Sequence, residues 1–276
     1  MAWVNERNLI INTVAELDNA LLDYVKTATV SRAYFERLVS AVEIMVPASK
    51  RALPNAHGIL RAWRRAVPPH HTNPMPFAAV LGIAYVLSNV GLNREAAHLL
   101  LGWLGGLRPT ECANLRGCHL TAAQHGLHRM PAIIALGVSV GTKVRRQQSV
   151  SFDVCEDPIA CSIVAAFVST TAPNAPLSSI TSSARMRTLI QWASTYLRFN
   201  THFTAHSCRA GWASELKLRQ VSFAVIKEKG RWATDDATRT YLDIVASMYN
   251  IQAVASATPA AEWLLGDFQN RFAWWG

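Results

Sequence analysis

Six residues of this 276-residue chain have the types that breaking a phosphodiester requires: Arg108, Lys143, His206, Arg209, Trp232 and Tyr241. Such a reaction needs an oxygen nucleophile, cations on the non-bridging oxygens as charge builds there, and a proton donor for the departing oxygen. A tyrosine supplies the nucleophile if cationic neighbours or a base help it lose a proton that ordinarily leaves near pH ~10. Two arginines each present a fixed fork of donors that fits a pair of phosphate oxygens. A lysine can protonate the leaving alkoxide. A histidine can share the nucleophile's proton or hydrogen-bond the phosphate, and an indole N–H can do the latter while packing the site. Each residue also has an ordinary structural use: Trp232 and Tyr241 as core aromatics, Lys143 as a solvated turn residue, His206 as a helix cap. Their joint occurrence sets them apart from those uses.

The elements that must carry them follow from local pattern. Helices are expected over 77–91 and 94–105, the second closed by Gly105-Gly106. Leu107-Arg-Pro-Thr-Glu111 then opens a short helix with Pro109 in its first turn, where a missing N–H costs little, so Arg108 stands at a helix entry. Residues 132–140 and 147–154 alternate as two strands, joined by a turn that holds Lys143, the only lysine between Lys50 and Lys217, with Arg145 and Arg146 beside it. Further helices are expected at 157–170, 183–199, 206–219, 222–229 and 234–249. His206 and Arg209, three residues apart, share a face of the first turn. Thr234 caps the last of these helices, with Asp235 and Asp236 at its positive end and Tyr241 about two turns in. The segment 257–276 offers one more amphipathic helix and Phe272-Ala-Trp-Trp275, which packs on its own domain or docks on a neighbouring protomer.

Upstream, apolar stripes predict helices over 6–26, 31–46 and 54–67, with Ser31 as an N-cap and Pro47 as a stop. The run Pro68-Pro-His-His-Thr-Asn-Pro-Met-Pro76 breaks all periodicity and marks a boundary between a small helical domain, 1–72, and a larger one, 73–276. Arg61, Arg64 and Arg65 lie on the helix before it, beside Trp63, either as a solvated face or as a grip on a polyanion. The fold class is mainly α with a small antiparallel sheet or hairpin. The formal charge of +9 is carried by 21 Arg and 6 Lys, a bias toward the fork that grips phosphate. Five cysteines, Cys112, Cys118, Cys155, Cys161 and Cys208, show no C-x-x-C pair, which argues against a disulfide framework or zinc site and for reduced thiols inside a cell. The most apolar run, 77–92, is shorter than the ~20 residues of a membrane span, and no signal peptide opens the chain.

In order and spacing, Gly106-Leu-Arg108-Pro-Thr-Glu111, Lys143, His206-Ser-Cys-Arg209, Trp232 and, nine residues on, Tyr241 resemble the signature of the tyrosine recombinases, the phage-integrase-like family of DNA breaking and rejoining enzymes. The resemblance covers roughly 77–250. Trp63-Arg-Arg, the Pro-rich linker and Gly-Arg-Trp-Ala-Thr are more similar to recombinases of eukaryotic mobile elements than to bacterial chromosome-dimer resolvases. It implies a core-binding domain that clamps DNA (1–72) and a catalytic domain with a C-terminal helix and tail (73–276). It also implies roles. Arg108 and Arg209 hold the scissile phosphate, His206 acts as base or phosphate donor, and Lys143 protonates the departing 5′-oxygen. Trp232 fills a place often held by a second histidine, and Tyr241 attacks to form a covalent 3′-phosphotyrosyl link. Glu111 orients the cations, while Arg61, Arg64, Arg65, Arg145, Arg146 and Arg231 bind DNA. No metal, ATP or other cofactor is required. The expected partner is double-stranded DNA, bound by a tetrameric synapse of this chain with the C-terminal helix a candidate for exchange. The expected location is with DNA inside the cell, in the nucleus of a eukaryotic host and otherwise in the cytoplasm or nucleoid. A type IB topoisomerase and an inactive DNA-binding protein of the same fold are the alternatives. Two positions depart from the family: Arg231 separates Gly230 from Trp232, so either of the two is a candidate to face the phosphate, with the spacing to Tyr241 favouring Trp232, and Cys208 replaces a larger apolar residue.

Overall fold

Capping chemistry sets where the first helices begin in the computed structural model, which describes residues 6–66, 72–124, 130–137, 140, 148–242, 244–255 and 258–266. Contacts divide the chain into two units, Met1–His70 and His71–Gly276. In the first unit, helix α1 spans Val14–Thr27, and not from residue 6 as the apolar stripe predicts. The reason is a capping box: Thr13 Oγ1 accepts from the Glu16 N–H at 3.2 Å, and Glu16 Oε2 accepts from the Thr13 N–H at 3.0 Å. Helix α2 (Arg32–Met45) starts on Ser31, whose hydroxyl accepts from the Tyr34 N–H, and ends before Pro47. Helix α3 (Pro54–Ala66) is capped from a distance. The buried Asp18 carboxylate on α1 accepts from the Asn55 and Ala56 N–H groups at 2.8 and 2.9 Å. Leu21, Phe35, Val39, Leu53, Ala56 and Leu60 form the core of this unit.

The second unit carries ten helices and one sheet among its described residues: α4 (Phe77–Asn89), α5 (Asn93–Leu104), α6 (Pro109–Ala113), β1 (Leu120–Thr121), β2 (Ala132–Leu136), β3 (Gln148–Phe152), α7 (Pro158–Thr170), α8 (Ser183–Tyr196), α9 (Ser207–Leu218), α10 (Phe223–Lys229), α11 (Asp235–Arg239), α12 (Ile244–Ala253) and α13 (Thr258–Gly266). Helix α4 is apolar nearly all round and is buried accordingly. Among the described residues no helix is long and apolar enough to cross a membrane. The fold is therefore mainly α with a three-stranded antiparallel sheet in the order β1-β2-β3. Its register pairs Leu120 with Ile134 and Ala132 with Phe152. Ala132, Ile134 and Leu136 alternate inward against α7.

The strands are shorter than expected, and β1, with two residues, is too short to leave a periodic signal. The helix expected over 234–249 is broken. Helix α11 stops at Arg239 and α12 resumes at Ile244. At the break the Ser214 hydroxyl, from α9, donates to the Tyr241 carbonyl at 3.2 Å. Tyr241 therefore stands in a turn between two helices, not two turns into one. The helix expected in 257–276 is present as α13, which packs on α4 of its own unit with Trp263 edge-on to Tyr85.

Candidate phosphate-binding site

Helix α5 ends in a Schellman turn. The Gly106 N–H donates to Trp103 O and the Leu107 N–H to Gly102 O, both at 2.9 Å, with Gly106 in the left-handed conformation, φ 53°. The chain leaves this turn extended at Arg108, and Pro109 starts α6. One turn on, the fully buried Glu111 carboxylate reaches back to accept from the Arg108 N–H at 2.8 Å and from Arg108 Nη1 at 2.5 Å.

Helix α10 ends the same way. The Arg231 N–H donates to Glu228 O at 2.9 Å and the Trp232 N–H to Lys227 O at 3.1 Å. Here, though, the left-handed position is held by Arg231, φ 56°, and the glycine falls one residue earlier. Space explains where the glycine stands: the Trp232 ring folds back over Gly230, where a Cβ would come within 1.9 Å of it. Arg231 turns inward, and its Nη2 donates to Glu111 Oε2 at 2.7 Å. Arg108 Nη2 in turn donates to the Arg231 carbonyl at 3.3 Å.

Arg209, on the first turn of α9, joins the two turns. Its Nη1 donates to the Gly106 carbonyl and its Nη2 to the Gly230 carbonyl. The residue has no exposed surface, and Nε has no partner. The guanidinium carbon lies 4.5 Å from the Trp232 ring centroid and 5.7 Å from that of Tyr241. The Trp232 and Tyr241 rings are 5.2 Å apart, and Trp212 packs on the other indole at 6.2 Å. Five residues from three distant stretches, Arg108, Glu111, Arg209, Trp232 and Tyr241, thus meet at the 230–231 turn.

Electrostatics at this point are unbalanced. Burial works against the Glu111 carboxylate, yet the Arg231 guanidinium and then the Arg108 N–H and guanidinium outweigh it, holding its pKa below the ordinary range. Burial, then Arg108 and Arg231, disfavours the charge on Arg209. A guanidinium nonetheless stays protonated at neutral pH. Three cations to one carboxylate leave the cluster two positive charges in excess, and the Arg209 guanidinium lies 5.7 Å from the Tyr241 ring centroid.

The other predicted residues fall as follows. His206 immediately precedes α9 and is exposed as a residue, yet desolvation by its surroundings and then the Arg209 charge lower its pKa. Lys143, Arg145 and Arg146 lie outside the described residues. Arg61, Arg64 and Arg65 are exposed on α3 of the first unit, where Arg64 donates through Nε and Nη2 to Glu36 at 3.0 and 2.8 Å. Trp63 packs near Phe35. Cys208 is a free thiol, and burial pushes its pKa up to about 12, so it is no thiolate nucleophile. Among the described residues no group of His, Cys, Asp and Glu is arranged to hold a metal. The sequence reading missed Ser214, which anchors the Tyr241 backbone, and the two glycine carbonyls that hold Arg209. A small polar residue on the buried face of α9 was the only signal for the first, and nothing local signals the second.

No protein-family model matches the chain, and no curated protein matches it.

Proposed function

We propose that this chain is a tyrosine recombinase-like transesterase that cleaves and rejoins strands of double-stranded DNA through a covalent 3′-phosphotyrosyl intermediate. The observation that carries the reading is the meeting of Arg108 and Arg209 at one turn, with the Tyr241 ring 5.7 Å from the Arg209 guanidinium. Those residues are at positions 108, 209 and 241, so no local pattern of chain folding brings them together. In the proposed reaction Tyr241 Oη attacks the scissile phosphorus as the bond to the 5′-oxygen breaks. Arg108 and Arg209 neutralise the charge that builds on the non-bridging oxygens, and His206 takes the phenolic proton. Lys143 protonates the leaving 5′-oxygen. The phosphotyrosyl bond retains the energy of the broken phosphodiester, so a free 5′-hydroxyl can reverse the step on the same or another strand. Synapsis of several copies would place that other strand within reach.

One observation favours a second reading, a DNA-binding protein of the same fold without turnover. Arg209 is wholly covered, and both of its terminal nitrogens are taken by backbone carbonyls. Cleavage under the first reading requires the Trp232 and Tyr241 rings to swing off Arg209 when DNA arrives. The two readings separate in one assay, incubation with nicked duplex DNA in EDTA followed by denaturing electrophoresis. The enzyme gives a protein–DNA adduct that Tyr241→Phe abolishes. DNA binding without an adduct sinks the enzyme in favour of the binding protein.

A further inference from the structure

We infer that Arg231 is a third gripping residue for a tetrahedral oxyanion, a phosphate group, at the site where Arg108 and Arg209 converge; the inference rests on the proposal that this site handles phosphate. Three observations lead there. The first is burial. Arg198 and Gln220 also end helices in the left-handed conformation, but their side chains are exposed, whereas that of Arg231 is only 6% exposed. Placing a non-glycine residue there strains the backbone, and burying its guanidinium adds a desolvation penalty. The Schellman turn itself gains nothing from that side chain.

The second is an excess of donors. Pairing with Glu111 uses only Nη2 of Arg231, and its buried Nε and Nη1 have no partner, nor has Arg209 Nε. Buried donors without acceptors are uncommon, and those on a charged group are the most costly. If Arg231 served only to neutralise Glu111, a single ammonium would do. The third is the set of neighbours. Arg108 Nη2 reaches the carbonyl of Arg231 and Arg209 Nη2 that of Gly230, so two guanidiniums hold the peptide units on either side of the Arg231 backbone, whose own side chain is the third cation of the cluster. Glu111, already shared by Arg108 and Arg231, is the internal oxyanion with which a phosphate competes for these donors.

The oxyanion has two chemical sources, a backbone phosphodiester or a free phosphate, and the test distinguishes them. The full chain is titrated with sodium tungstate, a tetrahedral dianion, by calorimetry at neutral pH. Wild type binds one tungstate. Arg231→Lys, which keeps a cation against Glu111 but loses the fork, weakens binding about tenfold. Its melting temperature, read alongside, reports any loss of fold. Glu111→Gln removes the competing carboxylate and tightens binding severalfold. Absence of binding by wild type, equal affinity in a folded Arg231→Lys, or no tightening in Glu111→Gln overturns the inference. Displacement of tungstate by duplex DNA identifies the oxyanion as a backbone phosphate, and indifference to DNA identifies a free one. Tungstate binding that depends on Arg231 without a Tyr241 adduct sinks the strand-exchange reading alone. An adduct together with tungstate binding unchanged by Arg231→Lys sinks this inference alone.

Discussion

The turns that close α5 and α10 are two copies of one backbone motif put to different uses. Both are Schellman turns with a right-handed glycine at the cap, both present a carbonyl to Arg209, and both supply a guanidinium to Glu111. In the first, glycine occupies the left-handed position and the arginine follows two residues later on relaxed, extended backbone. In the second, the arginine occupies the left-handed position itself. The second turn therefore brings its guanidinium to Glu111 at the expense of local stability, while the first does so on relaxed backbone.

Four measurements test how far the two turns differ. Arg209→Met removes the side chain that joins the turns and orphans two buried carbonyls, each costing ~1–3 kcal/mol, so urea unfolding should show a loss of about 4 kcal/mol. A loss below 1 kcal/mol would mean that the turns hold their places independently. Gly106→Ala puts a Cβ on a left-handed residue and within 2.6 Å of the Trp212 ring. Backbone and overpacking terms together predict a loss of about 3 kcal/mol, and an unchanged melting temperature would refute it.

Mild acid should loosen the packing of α5 on α6, beside the first turn. His98 on α5 is fully buried, with Nδ1 2.9 Å from Ser178 Oγ and Nε2 2.8 Å from the carbonyl of Cys112 on α6, and burial lowers its pKa to about 4. Because the folded pKa lies below the unfolded one, the unfolded chain binds more protons between the two. The contribution of His98 is fully present above pH ~6.5 and is lost as pH falls toward 4. By pH 5 the loss reaches about 2 kcal/mol, and in His98→Gln the unfolding free energy should change correspondingly less between pH 7 and pH 5. The smallest effect isolates the second turn: Arg231→Gly and Arg231→Ala lose the same guanidinium, and glycine should be the more stable by about 1 kcal/mol. Equal stabilities would remove the claim of strain at that turn.

What the sequence made legible was local. Ser31 and Thr234 cap helices because their hydroxyls meet N–H groups three residues on. Gly105-Gly106 ends a helix, and Pro109 begins one, for similarly short-range reasons. The site was legible as a list of residue types and not as an arrangement. The partners of Arg209 are 103 and 21 residues away and are backbone carbonyls, which every residue has. Position 231 left open whether Arg231 or Trp232 faces the phosphate, because nothing local says that Arg231 points at Glu111. The break after Arg239 was invisible because it is associated with Ser214 on another helix. Positions 61, 64 and 65 read alike as exposed arginines, yet only Arg64 has Glu36 within reach, a pairing set by how α2 and α3 pack.

The aromatic pair over Arg209 has an optical consequence. Trp232 lies 5.2 Å from the ring of Tyr241 and 4.5 Å from a cation, so its emission depends on both. A ligand that draws either ring off Arg209 alters that surrounding. The chain thereby carries a fluorophore beside the residue proposed as nucleophile, and the difference in rapid-mixing fluorescence between wild type and Trp232→Phe can time the rings' departure before any bond is broken.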